Sequence, residues 1–289
     1  MKKLKIGVLL YTYNRVNDVR INMEIIRNVW GKIELLKEVV IVHAFNGQRE
    51  WWLEKYLEDD LVYLSNPGHF EGAAILMSEG IKIFEEKYAH LDYVIILAAD
   101  TWIVKPDVLE GILLNMADNQ KFIATCVWGS KISDSFWNQG CALDFLIIDL
   151  KWASRGKLFP LYFKEFREKY EELFFYHNQF LYLELVFMVR YKQSIQRTME
   201  FYSENILSQL AEKHIYRMTE REPMHIPKTS MTLKREYLRE TYWPKLGLLC
   251  HHIPDQKQRA LKEWKLTLGK YGKAFLTAED LSFYIHPYL

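Results

Sequence analysis

The sequence predicts an α/β fold in which a mostly parallel central sheet is flanked by helices and followed by a helical C-terminal part. Short, continuous apolar runs of strand length recur through the first 150 residues. Apolar residues at helical spacing separate these runs, and the alternation ends near residue 150. Strands that alternate with helices form parallel sheets with helices on both faces, and strands buried in this way are apolar throughout.

The first strand–helix–strand unit begins with the apolar run at residues 5–11, which is typical of a strand buried on both faces. Asn17 is the predicted N-cap of the helix that follows. A β-branched run at residues 39–42 predicts the second strand. The apolar stripe of the intervening helix comprises Val19, Met23, Ile26 and Trp30.

The same alternation continues for another hundred residues. Pro106 predicts the start of a further helix, because proline is favoured at the first helical position. The helix stripe in the middle of this stretch consists of Ala73, Met77, Ile81 and Phe84. The predicted strands lie at residues 61–64, 93–97, 122–127 and 142–148.

We predict a domain boundary at residue 150. Residues 1–150 form the predicted α/β domain, and residues 151–289 form a helical region packed on it. Beyond the boundary the sequence has aromatic-rich helical patterns and no clear alternation of strands and helices. Capping signals near residues 254 and 277 predict two last helices.

Composition excludes several classes of protein. The 289 residues are 49% hydrophobic and 26% charged, as expected for a globular chain with a large core. The net charge of +1 gives no electrostatic footprint for DNA or RNA, so no nucleic-acid partner is expected. Three cysteines without a CxxC pair favour neither a disulfide framework nor a structural zinc site, and a cytoplasmic location is expected. No apolar run reaches the length of a transmembrane helix, which leaves only peripheral membrane contact.

Common phosphate-binding loops are also absent. The turn after the first strand contains no GxGxxG pattern, and the chain contains no GxxxxGK[ST] loop. Nucleotidyltransferases, which share the parallel-sheet plan, would need a glycine-rich basic loop at the same turn. These observations disfavour dinucleotide-binding domains, P-loop enzymes and nucleotidyltransferases.

Three segments carry a resemblance to a known family. Residues 10–15 read Leu-Tyr-Thr-Tyr-Asn-Arg, and residues 66–74 read Asn-Pro-Gly-His-Phe-Glu-Gly-Ala-Ala. Residues 93–101 read Tyr-Val-Ile-Ile-Leu-Ala-Ala-Asp-Thr and are followed by Lys-Pro-Asp. In order and spacing these segments resemble the first-strand turn, the asparagine- and glycine-marked turn and the DxD strand of family 2-like glycosyltransferases, which have the Rossmann-like GT-A fold. The resemblance covers roughly residues 4–130.

The resemblance implies that residues 1–150 bind a nucleotide-sugar donor. The implied activity is transfer of the sugar to a hydroxyl acceptor held by the helical region, and the acceptor is a glycan, a lipid-linked molecule or a small molecule. Because ligands of open α/β sheets bind at the carboxyl edge, we expect Asp100 to approach the Asn14–Arg15 turn there. The implied donor-binding residues are Tyr11, Asn14, Arg15, Asn66, Gly72 and Asp100.

The DxD motif of the family implies a divalent cation as cofactor. Paired carboxylates hold Mn²⁺ or Mg²⁺, which neutralises the departing diphosphate. The position of the first aspartate is Ala98 in this chain, so only Asp100 remains. His252 is the other candidate ligand, because some GT-A enzymes recruit a C-terminal histidine. We therefore expect weak dependence on metal.

Inverting transfer, the favoured stereochemistry, needs a carboxylate that takes the proton of the acceptor hydroxyl. Glu184 and Asp144 are the predicted catalytic residues, and Asp134 is a further candidate. Glu184 lies well downstream of Asp100 in an apolar helix, where burial would raise its pKa as a base requires. The alternative is a non-catalytic nucleotide-sugar-binding or scaffold protein on the same fold, because loss of a metal carboxylate at Ala98 is one way in which such domains lose activity.

Overall fold

The computed structural model describes residues 2–13, 15–103, 105–129, 139–176, 183–199, 204–217, 224–225, 239–243 and 248–252. The described helices are α1 (Val16–Asn28), α2 (His69–Lys87), α3 (Pro106–Asp118), α4 (Leu150–Arg155), α5 (Phe163–Tyr176), α6 (Leu183–Met199) and α7 (Glu204–Lys213). The described strands are β1 (Leu4–Thr12), β2 (Leu36–Phe45), β3 (Asp60–Tyr63), β4 (Tyr93–Ala98), β5 (Thr101–Ile103), β6 (Ile123–Gly129), β7 (Gln139–Asp149), β8 (Ile215–Arg217), β9 (Met224–His225), β10 (Arg239–Trp243) and β11 (Leu248–His252).

The main sheet has the strand order β3-β2-β1-β4-β7-β6-β8 among the described strands. β1 pairs in parallel with both β2 and β4. β7 is antiparallel to its neighbours β4 and β6, and all the other strands of this sheet run in one direction. The prediction of an α/β fold with a mostly parallel sheet flanked by helices is therefore confirmed.

Helices cover both faces of the sheet. Alternate residues of β1, such as Val8 and Leu10, pack in one core cluster with α1 and α3. Leu9 points to the opposite face and belongs to a second cluster with α2, α4 and α6. Both faces of β1 and β4 are therefore buried, which is why the sequence of these strands is apolar without alternation.

Helix α2 approaches β1 closely because β1 contains a glycine. A Cβ atom added at Gly7 would lie 2.4 Å from Cε1 of Phe84, which is on α2. Gly7 thus leaves room for the Phe84 ring, which is fully buried. Any larger residue at position 7 would push α2 away from the sheet.

Parts of the chain beyond residue 150 return to the first part. β8 adds to the edge of the main sheet beside β6. β11 pairs with β5 in a second sheet, which has the order β5-β11-β10-β9. The division into domains at residue 150 stays a prediction. None of the described helices is long and apolar enough to cross a bilayer.

Helix α1 begins earlier in the chain than the sequence predicts. Helix α1 begins at Val16 with Arg15 as its N-cap, so Asn17 lies in the first turn and the prediction of Asn17 as the cap is wrong. The boundary shifts because β1 ends at Thr12 and a short turn suffices to start the helix. The two helices predicted near residues 254 and 277 lie outside the described residues.

Candidate functional site

The strand order changes direction between β1 and β4, and the candidate site lies at the carboxyl ends of these two strands. From β1 the chain proceeds to β2 and β3 on one side, and β4 then pairs with the other side of β1. Tyr11, near the end of β1, is opposite Ala98, the last residue of β4. Ligands of open α/β sheets bind in the crevice at such a switch point.

An arginine and two aspartates meet in this crevice. The Arg15 guanidinium lies 3.3 Å from the Asp100 carboxylate and 3.5 Å from that of Asp18. Asp100 occupies the turn between β4 and β5, and Asp18 lies in the first turn of α1. The expected approach of Arg15 to Asp100 is thus confirmed, whereas Asn14 lies outside the described residues. Asp18 was not among the predicted site residues.

Hydrogen bonds fix the start of α1 against the turn that carries Asp100. The Trp102 indole donates to the backbone carbonyl of Asp18 at 3.3 Å and to that of Ala99 at 3.2 Å. The Asn22 side-chain amide donates to the Thr101 carbonyl at 2.8 Å. Trp102 and Asn22 are buried, so these contacts are shielded from water. The relative position of Asp18 and Asp100 is therefore set by buried contacts between α1 and β5.

The described residues do not form a metal site of the kind that the DxD motif implies. Ala98 supplies no ligand, and the Asp100 carboxylate is paired with Arg15. Within the described part of the chain, no three His, Cys, Asp or Glu residues are grouped closely enough to hold a metal ion. β11 runs beside β5, with Cys250 opposite Thr101. The backbone at His252, two residues further on, therefore lies near the turn that carries Asp100. The side chain of His252 lies outside what the structure describes.

Asn66 and Gly72, two predicted donor-binding residues, form a tight arrangement at the start of α2. The side-chain oxygen Oδ1 of Asn66 accepts hydrogen bonds from the backbone amide of Gly68 at 3.0 Å and from the side-chain amide of Asn46 at 3.2 Å. A Cβ atom added at Gly72 would lie 2.7 Å from Asn46 Nδ2 and 2.8 Å from Asn66 Oδ1. Only glycine at position 72 therefore leaves this asparagine pair undisturbed. Sequence reasoning missed Asn46, a buried polar residue directly after β2.

Aromatic side chains line the neighbouring part of the carboxyl edge. Tyr13, just beyond β1, is 42% exposed, and its ring centroid lies 6.3 Å from that of Trp51 in an edge-to-face arrangement. Arg49 stacks over the ring of Tyr63, the last residue of β3, at 5.0 Å. The Tyr63 hydroxyl donates to the carbonyl of Gly47 at 3.2 Å. Sequence reasoning did not assign these aromatic residues to the site, because nothing local in the sequence shows that Tyr13, Trp51 and Tyr63 come together at this edge.

Tyr11 and Asp144 lie on the other side of the crevice. The Tyr11 hydroxyl is 3.5 Å from the backbone carbonyl of Leu143, and Tyr11 is only partly buried. The pairing of β7 with β6 shifts register between Thr125 and Val127, which marks a bulge in β7 next to Leu143. Bulges of this kind re-aim side chains at the edges of sheets. Asp144, in this part of β7, is exposed.

Glu184 lies in the first turn of α6, and burial raises the pKa of its carboxyl group. Its Oε2 atom is buried and has no hydrogen-bond partner among the described residues. The C-terminal end of α6 is held near the start of β4, where the Trp152 indole donates to Thr198 at 3.1 Å. Glu184 is three to four turns before Thr198, about 20 Å along the helix. Glu184 stays a predicted catalytic residue.

Tryptophan rings either stack on sugar faces or, more commonly, pack in the core. Trp152 is a core residue, since it is fully buried and stacks on Phe122 with 4.7 Å between the ring centroids. Trp128 and Trp137 have side chains outside the described part of the structure. The same is true of Asp134.

No protein-family model matches the chain, and no curated protein matches it either. Among solved structures, it is similar to the galactosyltransferase LgtC in complex with donor and acceptor sugar analogs, at 10% identity and a TM-score of 0.43, over 79% of this chain and 92% of that one. The mannosyltransferase PcManGT from Pyrobaculum calidifontis, in complex with GDP-Man and Mn²⁺, is 16% identical, with a TM-score of 0.34, over 54% of this chain. This chain covers 47% of PcManGT, about half its length. A197 from STIV is 11% identical, with a TM-score of 0.31, over 53% of this chain and 68% of that one.

Proposed function

We propose that this protein is a glycosyltransferase that binds a nucleotide-sugar at the carboxyl ends of β1 and β4. The observation that carries the proposal is the pairing of Arg15 with Asp100 at the switch point of the sheet. The guanidinium at this position is suited to a ligand with concentrated negative charge, such as a sugar-nucleotide diphosphate, because it makes strong, charge-assisted contacts with phosphate oxygens.

The donor would lie across the carboxyl edge. Tyr11, Arg15 and Asp100 line the part next to the switch point in this proposal, and Asn14 is a further proposed donor-binding residue. Asn66 and Gly72 act at the start of α2, where they shape the turn beside the donor. The exposed ring of Tyr13 is available to the flat face of a nucleobase, since aromatic rings stack on bases irrespective of sequence.

Sugar transfer replaces one bond at the anomeric carbon with another. The bond from that carbon to the diphosphate oxygen breaks, and its electron pair stays on the diphosphate. The acceptor hydroxyl oxygen forms the new bond and gives up its proton. In the inverting mechanism that we propose, the proton passes to a carboxylate on the opposite side of the sugar.

Glu184 is the preferred base, with Asp144 as the rival. Burial raises the pKa of Glu184, and a raised pKa makes its carboxylate a stronger proton acceptor. Asp144 is exposed, so water competes for its carboxylate. The acceptor in this proposal is a glycan, a lipid-linked molecule or a small molecule held by the region after residue 150. A cytoplasmic location and peripheral membrane contact both stay predictions.

A non-catalytic nucleotide-sugar-binding protein is the second candidate. Ala98 favours it, because the position loses a carboxylate that catalysis by metal ions would need. Both candidates require a bound donor, and only the first requires turnover.

A thermal-shift panel of UDP-, GDP-, CMP- and dTDP-sugars, followed by a donor-hydrolysis assay, tests both candidates. A ligand that binds the native state raises its melting temperature by mass action. We expect one class of donor to stabilise the protein and to be hydrolysed slowly without acceptor. Stabilisation without any hydrolysis or transfer would favour the binding protein. Stabilisation by no sugar-nucleotide would contradict both.

A further inference from the structure

The resemblance to DxD glycosyltransferases implies a divalent cation, but the described residues are not suited to one. A cation that bridges protein and diphosphate needs at least paired oxygen ligands. Here Ala98 replaces one carboxylate, and the two carboxylates that are present, Asp100 and Asp18, already share a positively charged partner, the Arg15 guanidinium at 3.3 and 3.5 Å. The same guanidinium nitrogen of Arg15 contacts both the Asp18 and the Asp100 carboxylates, so it occupies the place that a cation bridging them would take.

Arg15 is held in place by protein groups and is nevertheless accessible. Its partners Asp18 and Asp100 have side chains that are only 3% and 4% exposed, whereas the Arg15 side chain is 19% exposed. A guanidinium carries five N–H donors in a planar fork, so it can contact carboxylates and a phosphate at the same time. The buried carboxylates of Asp18 and Asp100 therefore orient the accessible Arg15 guanidinium before a ligand binds.

The two carboxylates are themselves fixed in position. Asp18 is in α1 and Asp100 is in the turn before β5, and the Trp102 indole bridges the backbone carbonyls of Asp18 and Ala99. Arg15 is also the N-cap of α1, a helix of 13 residues, and the positive end of the helix dipole lies beside its backbone. The position of the Arg15 guanidinium is therefore set by the fold.

We propose that Arg15 takes the place of the divalent cation, binding the diphosphate of the donor and stabilising the negative charge that develops on it as the sugar leaves. Asp18 and Asp100 are positioning residues that orient the guanidinium. This inference rests on the proposed function, because it needs a diphosphate at the switch point. It predicts a donor site that works without metal.

Calorimetric titration of the full chain with nucleoside diphosphates, in EDTA and in MnCl₂, tests the inference. The probes are UDP, GDP and dTDP, each compared with its uncharged nucleoside. We expect the dissociation constant of the preferred diphosphate in EDTA to be within about threefold of its value in Mn²⁺. Replacing Arg15 with alanine should weaken diphosphate binding at least tenfold and leave nucleoside binding unchanged, because a charge-assisted contact to phosphate contributes on the order of 1.5–3 kcal/mol.

Further variants separate binding from folding. Arg15→Lys retains the charge without the planar fork and should recover part of the lost affinity. Asp18→Asn should weaken diphosphate binding but not nucleoside binding, and a purely structural role would weaken both. Arg155→Ala, an exposed arginine at the end of α4, is the matched control and should bind as the wild type does. Melting temperatures show which variants are folded.

The outcomes distinguish this inference from the proposed function. Binding that disappears in EDTA and returns with Mn²⁺ in both the wild type and Arg15→Ala overturns the inference but supports a metal-dependent donor site, with His252 as the first ligand to test. If no nucleoside diphosphate binds the wild type under either condition, the proposed function fails, and this inference fails with it. Metal-independent binding that requires Arg15 supports both.

Discussion

At the scale of single residues, His43 is a buried histidine whose ring has no hydrogen-bond partner in the described part of the chain. It lies on β2 with none of its surface exposed. Its ring is in edge contact with Trp52, 4.4 Å away between centroids, and Arg20 from α1 stacks on the same tryptophan. Burial, with a smaller effect from the Arg20 charge, lowers the pKa of His43 to about 3.

This histidine should make the protein less stable as the pH falls. The unfolded chain binds a proton at His43 below about pH 6.5, whereas the folded chain does so only near pH 3, so folding excludes a proton in that window. From pH 7 to pH 5 the wild type should lose about 2 kcal/mol of unfolding free energy through this group. In His43→Leu that loss should disappear, as measured by urea denaturation at both pH values.

The neighbouring residue provides the control for this prediction. Phe45→Leu, which removes a ring next to His43 without removing a titratable group, should lower stability by a similar amount at pH 7 and pH 5. A pH dependence that is unchanged in His43→Leu would mean that other groups cause it.

Glu184 should show a conflict between stability and activity. Because burial raises the pKa of this carboxyl group, its ionised form is unfavourable in the folded state. The protonated carboxyl group of Glu184 therefore contributes to the unfolding free energy at low pH, and this contribution is lost as the pH rises through the pKa of Glu184 in the folded protein. Glu184→Gln should therefore be more stable than the wild type, on the order of 1 kcal/mol at pH 8, with a smaller gain at pH 4.

The same variant should lose sugar transfer by roughly a hundredfold or more, since glutamine cannot accept the proton. Stability is measured by chemical denaturation and transfer by product formation at saturating donor. Asp144→Asn is the comparison, and it should retain most of the activity. If Asp144→Asn loses activity while Glu184→Gln retains it, Asp144 is the base.

At the scale of elements, the start of α2 depends on Gly72. Ala at this position would place a methyl group within 2.8 Å of both Asn46 and Asn66, which hold the turn before the helix. Gly72→Ala should therefore weaken donor binding and lower the unfolding free energy by about 1–3 kcal/mol, as overpacked sites do. Donor titration and chemical denaturation measure the two effects separately.

A second helical glycine gives the matched control. Gly111 lies on the exposed side of α3, and a Cβ atom there meets nothing within 4 Å. Gly111→Ala should stabilise the protein by up to about 1 kcal/mol through helix propensity and leave donor binding unchanged. Opposite signs for the two substitutions would separate the role of Gly72 from the general preference of helices for alanine. Stabilisation by Gly72→Ala would contradict the prediction.

At the scale of the whole molecule, stability should be greatest in the middle of the main sheet. β1 and β4 are covered by helices on both faces and paired on both sides, whereas β3 is an edge strand with only partly buried residues. Backbone amides that open only on global unfolding exchange most slowly. Hydrogen-exchange mass spectrometry should find the slowest exchange in β1 and β4 and much faster exchange in β3. Equal rates in β3 and β4 would show that the sheet does not open from its edge.

The fold class and most of the elements in residues 1–150 follow from the pattern of apolar residues along the chain. Strands buried on both faces must be apolar, and helices that cover them must have apolar stripes, so the pattern along the chain was sufficient to place β1, β2, β4 and α2. The Pro106 signal placed the start of α3 correctly, because proline has no amide hydrogen to lose there. The resemblance of residues 10–15 and 93–101 to glycosyltransferase segments singled out Arg15 and Asp100.

The contacts of these residues depend on how the chain is assembled in three dimensions. The contacts of Arg15 with Asp18 and Asp100, of Trp102 with α1, and of Asn46 with Asn66 join segments that are far apart or that carry no periodic pattern. The sequence pattern also does not predict the antiparallel direction of β7 or the pairing of β11 with β5, because an apolar strand has the same pattern in either direction. Patterns of burial are local properties of a chain, whereas the partner of a charge depends on how the strands and helices are assembled.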